Sequence, residues 1–157
     1  MNTATNAALR ALLLGLLSLL PGMSLAQHAH HAAHEETTRV PPPATRWPAD
    51  AALRDGMGRI HVALEELRHY EMGHMDATMA LDRVGLIEQA AADIFAKCKL
   101  PEERDVVMHR MLVPLLAAAQ QLKKNPADMA QVQAMRAAVA DYPRYFDDAG
   151  WAMPSRP

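Results

Sequence analysis

The residues of this chain that could do chemistry are soft donors. Eleven Met, eight His and one Cys stand among 157 residues, against two Phe and two Trp. Thiolate and thioether sulfur select Cu(I), and imidazole also suits copper. The donors fall into three groups. His28, His30, His31 and His34 form a tract that could hold Cu(II), Zn(II) or Ni(II) loosely. Met72-Gly73-His74-Met75, with Met79 shortly after, interrupts two helical patterns. A Met in such a polar loop gains little from core burial, so soft-metal capture explains the composition better. Met57, His61, Cys98 and His109 lie on or beside helical stripes.

Each group also has a plainer explanation. Met57 and Cys98 sit where ordinary core residues sit. His109, next to Met108, could simply hydrogen-bond within its helix. The His tract could be a solvated leader. No catalytic set accompanies them: the chain has no nucleophile-elbow motif, phosphate loop, His-Glu-x-x-His run or Cys-x-x-Cys pair. An enzyme is not expected.

Four helical segments must position the donors. In the first, Leu53, Met57, Ile60, Leu64 and Leu67 recur at spacings of three and four, ending near Gly73. The second carries Val84, Ile87, Ala91, Ile94 and Cys98, and Leu100-Pro101 breaks it. The third opens at Pro101-Glu102-Glu103 and aligns Met108, Leu112, Leu115, Ala119 and Leu122. Pro114 should kink it. The fourth is expected to start at Asn125-Pro126, with Val132, Met135, Val139, Tyr142 and Phe146 on its stripe until Pro143 bends or ends it. No alternating pattern of useful strand length appears.

The expected fold is therefore all-α, an antiparallel up-down-up-down four-helix bundle with a disordered N-terminal tail. In that order Met57, Cys98, His109 and Tyr142 belong to one half, with His61 one turn from Met57. Met57 and His109 each lie about 12 Å from their helix ends at 1.5 Å per residue. Cys98 is nearer the end and His61 deeper, so pairs or triples of these donors are expected rather than all four on one ion.

The first 26 residues supply the context. One positive charge, Arg10, precedes an apolar run from Ala11 to Leu20, and Ser24-Leu25-Ala26 has the small-x-small form of a cleavage site. This is the pattern of a secretory signal peptide. Its apolar core is too short to span a bilayer of about 30 Å. The expected organisation is a signal at 1–26, a disordered His/Pro-rich linker at 27–46, a bundle at 47–151 and a tail at 152–157. Export to the periplasm follows, with no membrane span after cleavage. The lone Cys98 then has no internal disulfide partner. With no basic patch, nucleic acid is not an expected partner.

Leu53-Arg-Asp-Gly-Met57 and Asp141-Tyr-Pro-Arg-Tyr145 resemble pieces of the soluble periplasmic cytochrome b family of four-helix bundles, loosely over residues 48 to 147. The resemblance implies a helical bundle with Met57 on the family's axial Met. Pro143 falls where that family has its axial His, and the Cys-x-x-Cys-His attachment of the related c-prime cytochromes is absent, so haem is not expected. The chain is also similar to small exported bacterial bundles with a Cys-Lys-Leu-Pro turn, here Cys98 to Pro101. The functional expectation is a periplasmic metal-handling protein, for copper, acting as buffer, chaperone or resistance factor. The partners expected are the metal ion and a periplasmic protein. The alternatives are a cofactor-free helical interaction module or periplasmic chaperone, and, behind these, a haem-binding electron carrier using Met57 with His109 or His61.

Overall fold

The computed structural model describes residues 40–151. The expected signal at 1–26, the His tract at 28–34 and the tail at 152–157 lie outside the described residues. The elements run β1 (Trp47–Pro48), α1 (Ala51–Glu71), α2 (Ala77–Lys97), α3 (Glu102–Lys124), α4 (Ala130–Val139), α5 (Tyr142–Tyr145), β2 (Phe146–Asp147) and a final 3-10 turn (Ala149–Trp151). The described chain is all-α apart from the two-residue strands. No helix among the described residues is long and apolar enough to cross a membrane.

Helix starts follow local chemistry. Asp50 and Asp76 cap α1 and α2 in the same way, each accepting from the backbone N–H three residues on, Leu53 at 2.7 Å and Met79 at 2.8 Å. α3 has no side-chain cap; Glu102, Glu103 and Asp105 face its positive end and Lys123 and Lys124 its negative end. The helix runs on through Pro114. Pro114 is exposed, so the Arg110 carbonyl it leaves without a helical donor lies on the wet side, where water can satisfy it.

The stripes read from spacing are buried. Leu53, Met57, Ile60, Leu64 and Leu67 join Val84, Ile87, Ala91 and Ile94, and Met108, Leu112, Leu115, Ala119 and Leu122, in one core. α1 and α2 approach closely at Gly56, where an added methyl would collide with the Ile94 side chain. Ion pairs tie neighbours from outside: Arg59 to Asp93 at 2.7 Å, Lys123 to Glu88 at 2.9 Å and Arg136 to Glu71 at 2.5 Å.

The fourth segment departs from expectation. Asn125-Pro126 is a turn rather than a helix start, and α4 begins only at Ala130. The Pro126 carbonyl accepts from the Tyr70 hydroxyl at 2.6 Å, which fastens this turn to the end of α1. α4 then stops at Val139, because Pro143 has no N–H to give the Val139 carbonyl. Pro143 instead begins the short α5. The stripe survives the break: Val132, Met135, Val139, Tyr142 and Phe146 are all buried, spread over α4, α5 and β2.

Beyond α5 the chain pairs with its own beginning. β1 and β2 are parallel, Trp47 opposite Phe146 and Pro48 opposite Asp147. The Tyr145 hydroxyl donates to the Val40 carbonyl at 2.7 Å, so contacts with the helical core begin upstream of Trp47, within the stretch that composition assigns to a linker.

Candidate metal centre

Two soft-donor clusters sit on the described residues, and the turn chemistry around each decides what it can do. The first is the α1–α2 hairpin tip. α1 ends with Gly73 at φ +74°, a left-handed conformation that glycine adopts without strain. The Gly73 N–H donates to the Tyr70 carbonyl at 3.0 Å and the His74 N–H to the His69 carbonyl at 2.8 Å. This pair of bonds is the Schellman ending, which sets the residue after the glycine against the residue four before it. An apolar pair usually fills those positions. Here they are His69 and His74, whose ring centres lie 6.5 Å apart with planes at 36°. Met72, the helix C-cap, is 55% exposed beside them, and Met79 is also exposed. Met75 turns inward and packs against the core, so its sulfur is less available than sequence suggests.

The carboxylates around this tip are already engaged. Glu65 pairs with Arg68 at 3.0 Å, Glu66 with Arg83 and Glu71 with Arg136, and Asp76 caps α2. A cleft of about 670 Å³ runs from the tip along α1, lined by His69 and Met72 at one end and by His61, Val62 and Gly150 further along.

The second cluster lies where α1 begins and α2 ends. Asp50 holds it: one carboxylate oxygen caps α1, while the other accepts from the Cys98 thiol and the Lys99 N–H, each at 3.4 Å. Burial pushes the Asp50 carboxyl up, but the bonds from Leu53, Cys98 and Lys99 outweigh it and hold it below its usual range. Burial, then the hydrogen bond and negative charge of Asp50 and the charge of Asp105, push the Cys98 thiol up to about 12. At neutral pH Cys98 is therefore a protonated donor. Metal ligation needs the thiolate, so an ion here must displace both the proton and the Asp50 bond.

His109 shares a groove of about 470 Å³ with Cys98, Asp105, Met108 and Phe95. Its Nδ1 lies 3.0 Å from the Asp105 carbonyl and 3.4 Å from the Asp105 carboxylate, which favours the proton on Nδ1 and leaves Nε2 as the open nitrogen. The Phe95 ring stands 5.0 Å from the imidazole.

The four donors expected in one half of the bundle thus occupy three environments. Cys98 and His109 line one groove. Met57 is fully buried in the core, and the groove does not include it. His61 lies on the outer face of α1, its ring 4.8 Å from Trp151. The reason is rotation along the helix: Met57 belongs to the inward stripe, and His61, four residues on, is carried to its edge, where it meets Trp151 and lines the outer cleft. Tyr142 remains inside, donating to Asp148 at 2.9 Å. Burial and the Asp148 carboxylate raise its pKa. Nowhere among the described residues do three or more His, Cys, Asp or Glu side chains gather in a metal-holding group.

Sequence reading missed His69. The signal available was Gly73, since a helix that ends on a left-handed glycine brings together the residues four before and one after it. The chain matches no family model, no curated protein and no solved structure.

Proposed function

We propose that this chain is an exported metal-handling protein, most suited to copper, that binds its ion at the α1–α2 hairpin tip. The observation that carries the reading is the Schellman turn at Gly73, which brings two exposed imidazoles within 6.5 Å, centre to centre, in the same turn as the exposed Met72, while Glu65, Glu66 and Glu71 pair with arginines and Asp76 caps α2. Imidazole and thioether are donors that suit copper. The signal-like N-terminus supports a periplasmic location, and the lack of any catalytic motif supports a buffer, chaperone or resistance role rather than an enzyme. Haem finds less support: Met57 is sealed in the core, and His109 lies in a surface groove with Cys98.

The helix order that suits this reading is up-down-up-down. Asp50 meeting Cys98 and Lys99, and Trp47 lying against Tyr145 and beneath Arg104, support one shared end; Tyr70 reaching Pro126 supports the other. The His tract would be an additional, looser site. The deciding experiment is a titration of the purified protein with Cu(I) against a competing chelator. Submicromolar affinity is expected, and binding no tighter than micromolar removes the reading.

One observation favours a second reading. Val62 and Leu86 are 58% and 47% exposed and border a cleft of about 680 Å³ on the outer face of α1 and α2. Apolar side chains beside such a cleft suit a helical interaction module or chaperone. Holdase activity that survives replacement of every His and of Cys98 would favour this second role.

A further inference from the structure

We infer that the hairpin tip is selective by charge: His69, His74 and the Met72 thioether form a site for a monovalent soft cation, Cu(I) or Ag(I), in preference to a divalent one. This inference rests on the metal-handling reading and adds which ion, in which coordination.

Distance is the first argument. An imidazole nitrogen lies about 1.2 Å from its ring centre and a metal–nitrogen bond is about 2.0 Å long. Two imidazoles on opposite sides of one ion therefore have centres about 6.4 Å apart, whereas a tetrahedral angle brings them to about 5.2 Å. The His69 and His74 centres stand 6.5 Å apart, a separation that one ion between opposed ring nitrogens would span. Low-coordinate geometry of that kind suits a d10 monovalent ion. A structural Zn(II) site wants four ligands.

Donor supply is the second argument. Four-coordinate Zn(II) would need two more N, S or O ligands, and the described residues bring no third His, Cys, Asp or Glu to this pair. The nearest carboxylates are held elsewhere, Glu65 by Arg68, Glu66 by Arg83 and Glu71 by Arg136. What remains is a thioether, a soft ligand that suits Cu(I) or Ag(I) better than an ion that prefers oxygen donors. Three neutral donors also leave a single positive charge to be balanced rather than two.

The third argument is placement. The backbone bonds of the turn set where the two residues lie, and both are exposed. An ion can enter and leave without opening the core, as a carrier or buffer requires.

The test uses protein carrying H28Q, H30Q, H31Q and H34Q, so that the tip is read without the tract. Ag(I), Cu(I) under anaerobic reducing conditions, and Zn(II) are each titrated against a competing chelator. One equivalent of Ag(I) or Cu(I) should bind at least about 100-fold more tightly than Zn(II). Losing an outer-shell partner alone costs about 10–100-fold in metal affinity. H69Q or H74Q should therefore lower Ag(I) affinity at least about 100-fold, and M72L about 10-fold, with helicity by circular dichroism unchanged. X-ray absorption of the Cu(I) form should show two nitrogen neighbours and one sulfur. Zn(II) binding as tight as Ag(I) overturns the selectivity and leaves the metal-handling reading standing. Ag(I) affinity indifferent to both H69Q and H74Q overturns the site. Failure of the unsubstituted protein to bind Cu(I) better than micromolar takes away the reading underneath.

Discussion

The two ends of the helical core both carry soft donors and hold them differently. At the tip, His69, Met72 and His74 stand exposed on a backbone turn that needs none of their side chains. At the base, Cys98 and His109 are tied to Asp50 and Asp105, the first of which also caps α1. Cys98 must give up its proton and the Asp50 bond before it can ligate, while His109 keeps Nε2 open; at the tip the backbone bonds of the turn bring His69 and His74 near each other. Composition gives both regions equal claim to a metal, and the hydrogen bonds separate them.

Breaking that contrast gives the largest expected effect. H69Q combined with H74Q should abolish at least about 100-fold of Cu(I) affinity, close to 2.7 kcal/mol, with little change in Tm. C98S combined with H109Q should leave affinity within about threefold. Parallel competition titrations and thermal melts would read both, and a reversal, with the base variant losing the copper, sinks the assignment.

Next comes Asp50→Ala. It removes the α1 cap and the partner of Cys98, and should cost about 1–2 kcal/mol in chemical denaturation. It should also make Cys98 react faster with a thiol reagent at neutral pH, as only burial and the Asp105 charge then hold the thiol up. Unchanged reactivity would mean that Asp50 does not control it. The Asp76→Ala variant is the matching control, equal in cap chemistry but free of any thiol.

Gly73→Ala should cost about 1 kcal/mol, because φ +74° strains any residue with a β-carbon. Its sharper readout is Cu(I) affinity, which should fall although no ligand has been touched. If affinity holds, the turn does not set the pair.

The remaining effect is alkaline. Cys98 titrates near 9 when unfolded and near 12 when folded, so folding favours the protonated thiol. That contribution is complete below pH 9 and is lost as pH rises from 9 toward 12. Tyr142, also raised, adds to the loss at the upper part of this range. C98S should flatten the earlier part of the decline in a pH series of denaturation midpoints. The Asp50 carboxyl has the opposite sign: its stabilisation is present above its unfolded pKa of about 4 and disappears as the pH falls below that.

Much of the fold could be read from spacing because three long helices bury simple stripes. Every residue named on the α1 and α3 stripes is buried, and on α2 only Cys98, at the cap, is not. The fourth segment resisted because periodicity records which side chains go inward, while helix continuity depends on backbone donors. Val139, Tyr142 and Phe146 keep their period across a break set by one missing N–H. The site was legible only in part for a related reason. Met72 and His74 stand out as polar-loop oddities, but His69 looks like any exposed helix residue until the turn folds it back on His74. Met57 and Cys98 read as plausible ligands because sequence shows donor atoms and not the burial or hydrogen bonds that occupy them.

The 55% exposure of the Met72 side chain has a further consequence. A sulfur open to an arriving ion is equally open to peroxide or hypochlorite. Oxidation to the sulfoxide would put a hard oxygen where the soft donor was, whereas a bound cation would shield the same lone pair. Oxidative damage at the tip would then report how often the site stands empty, and a sulfoxide reductase would be what restores it.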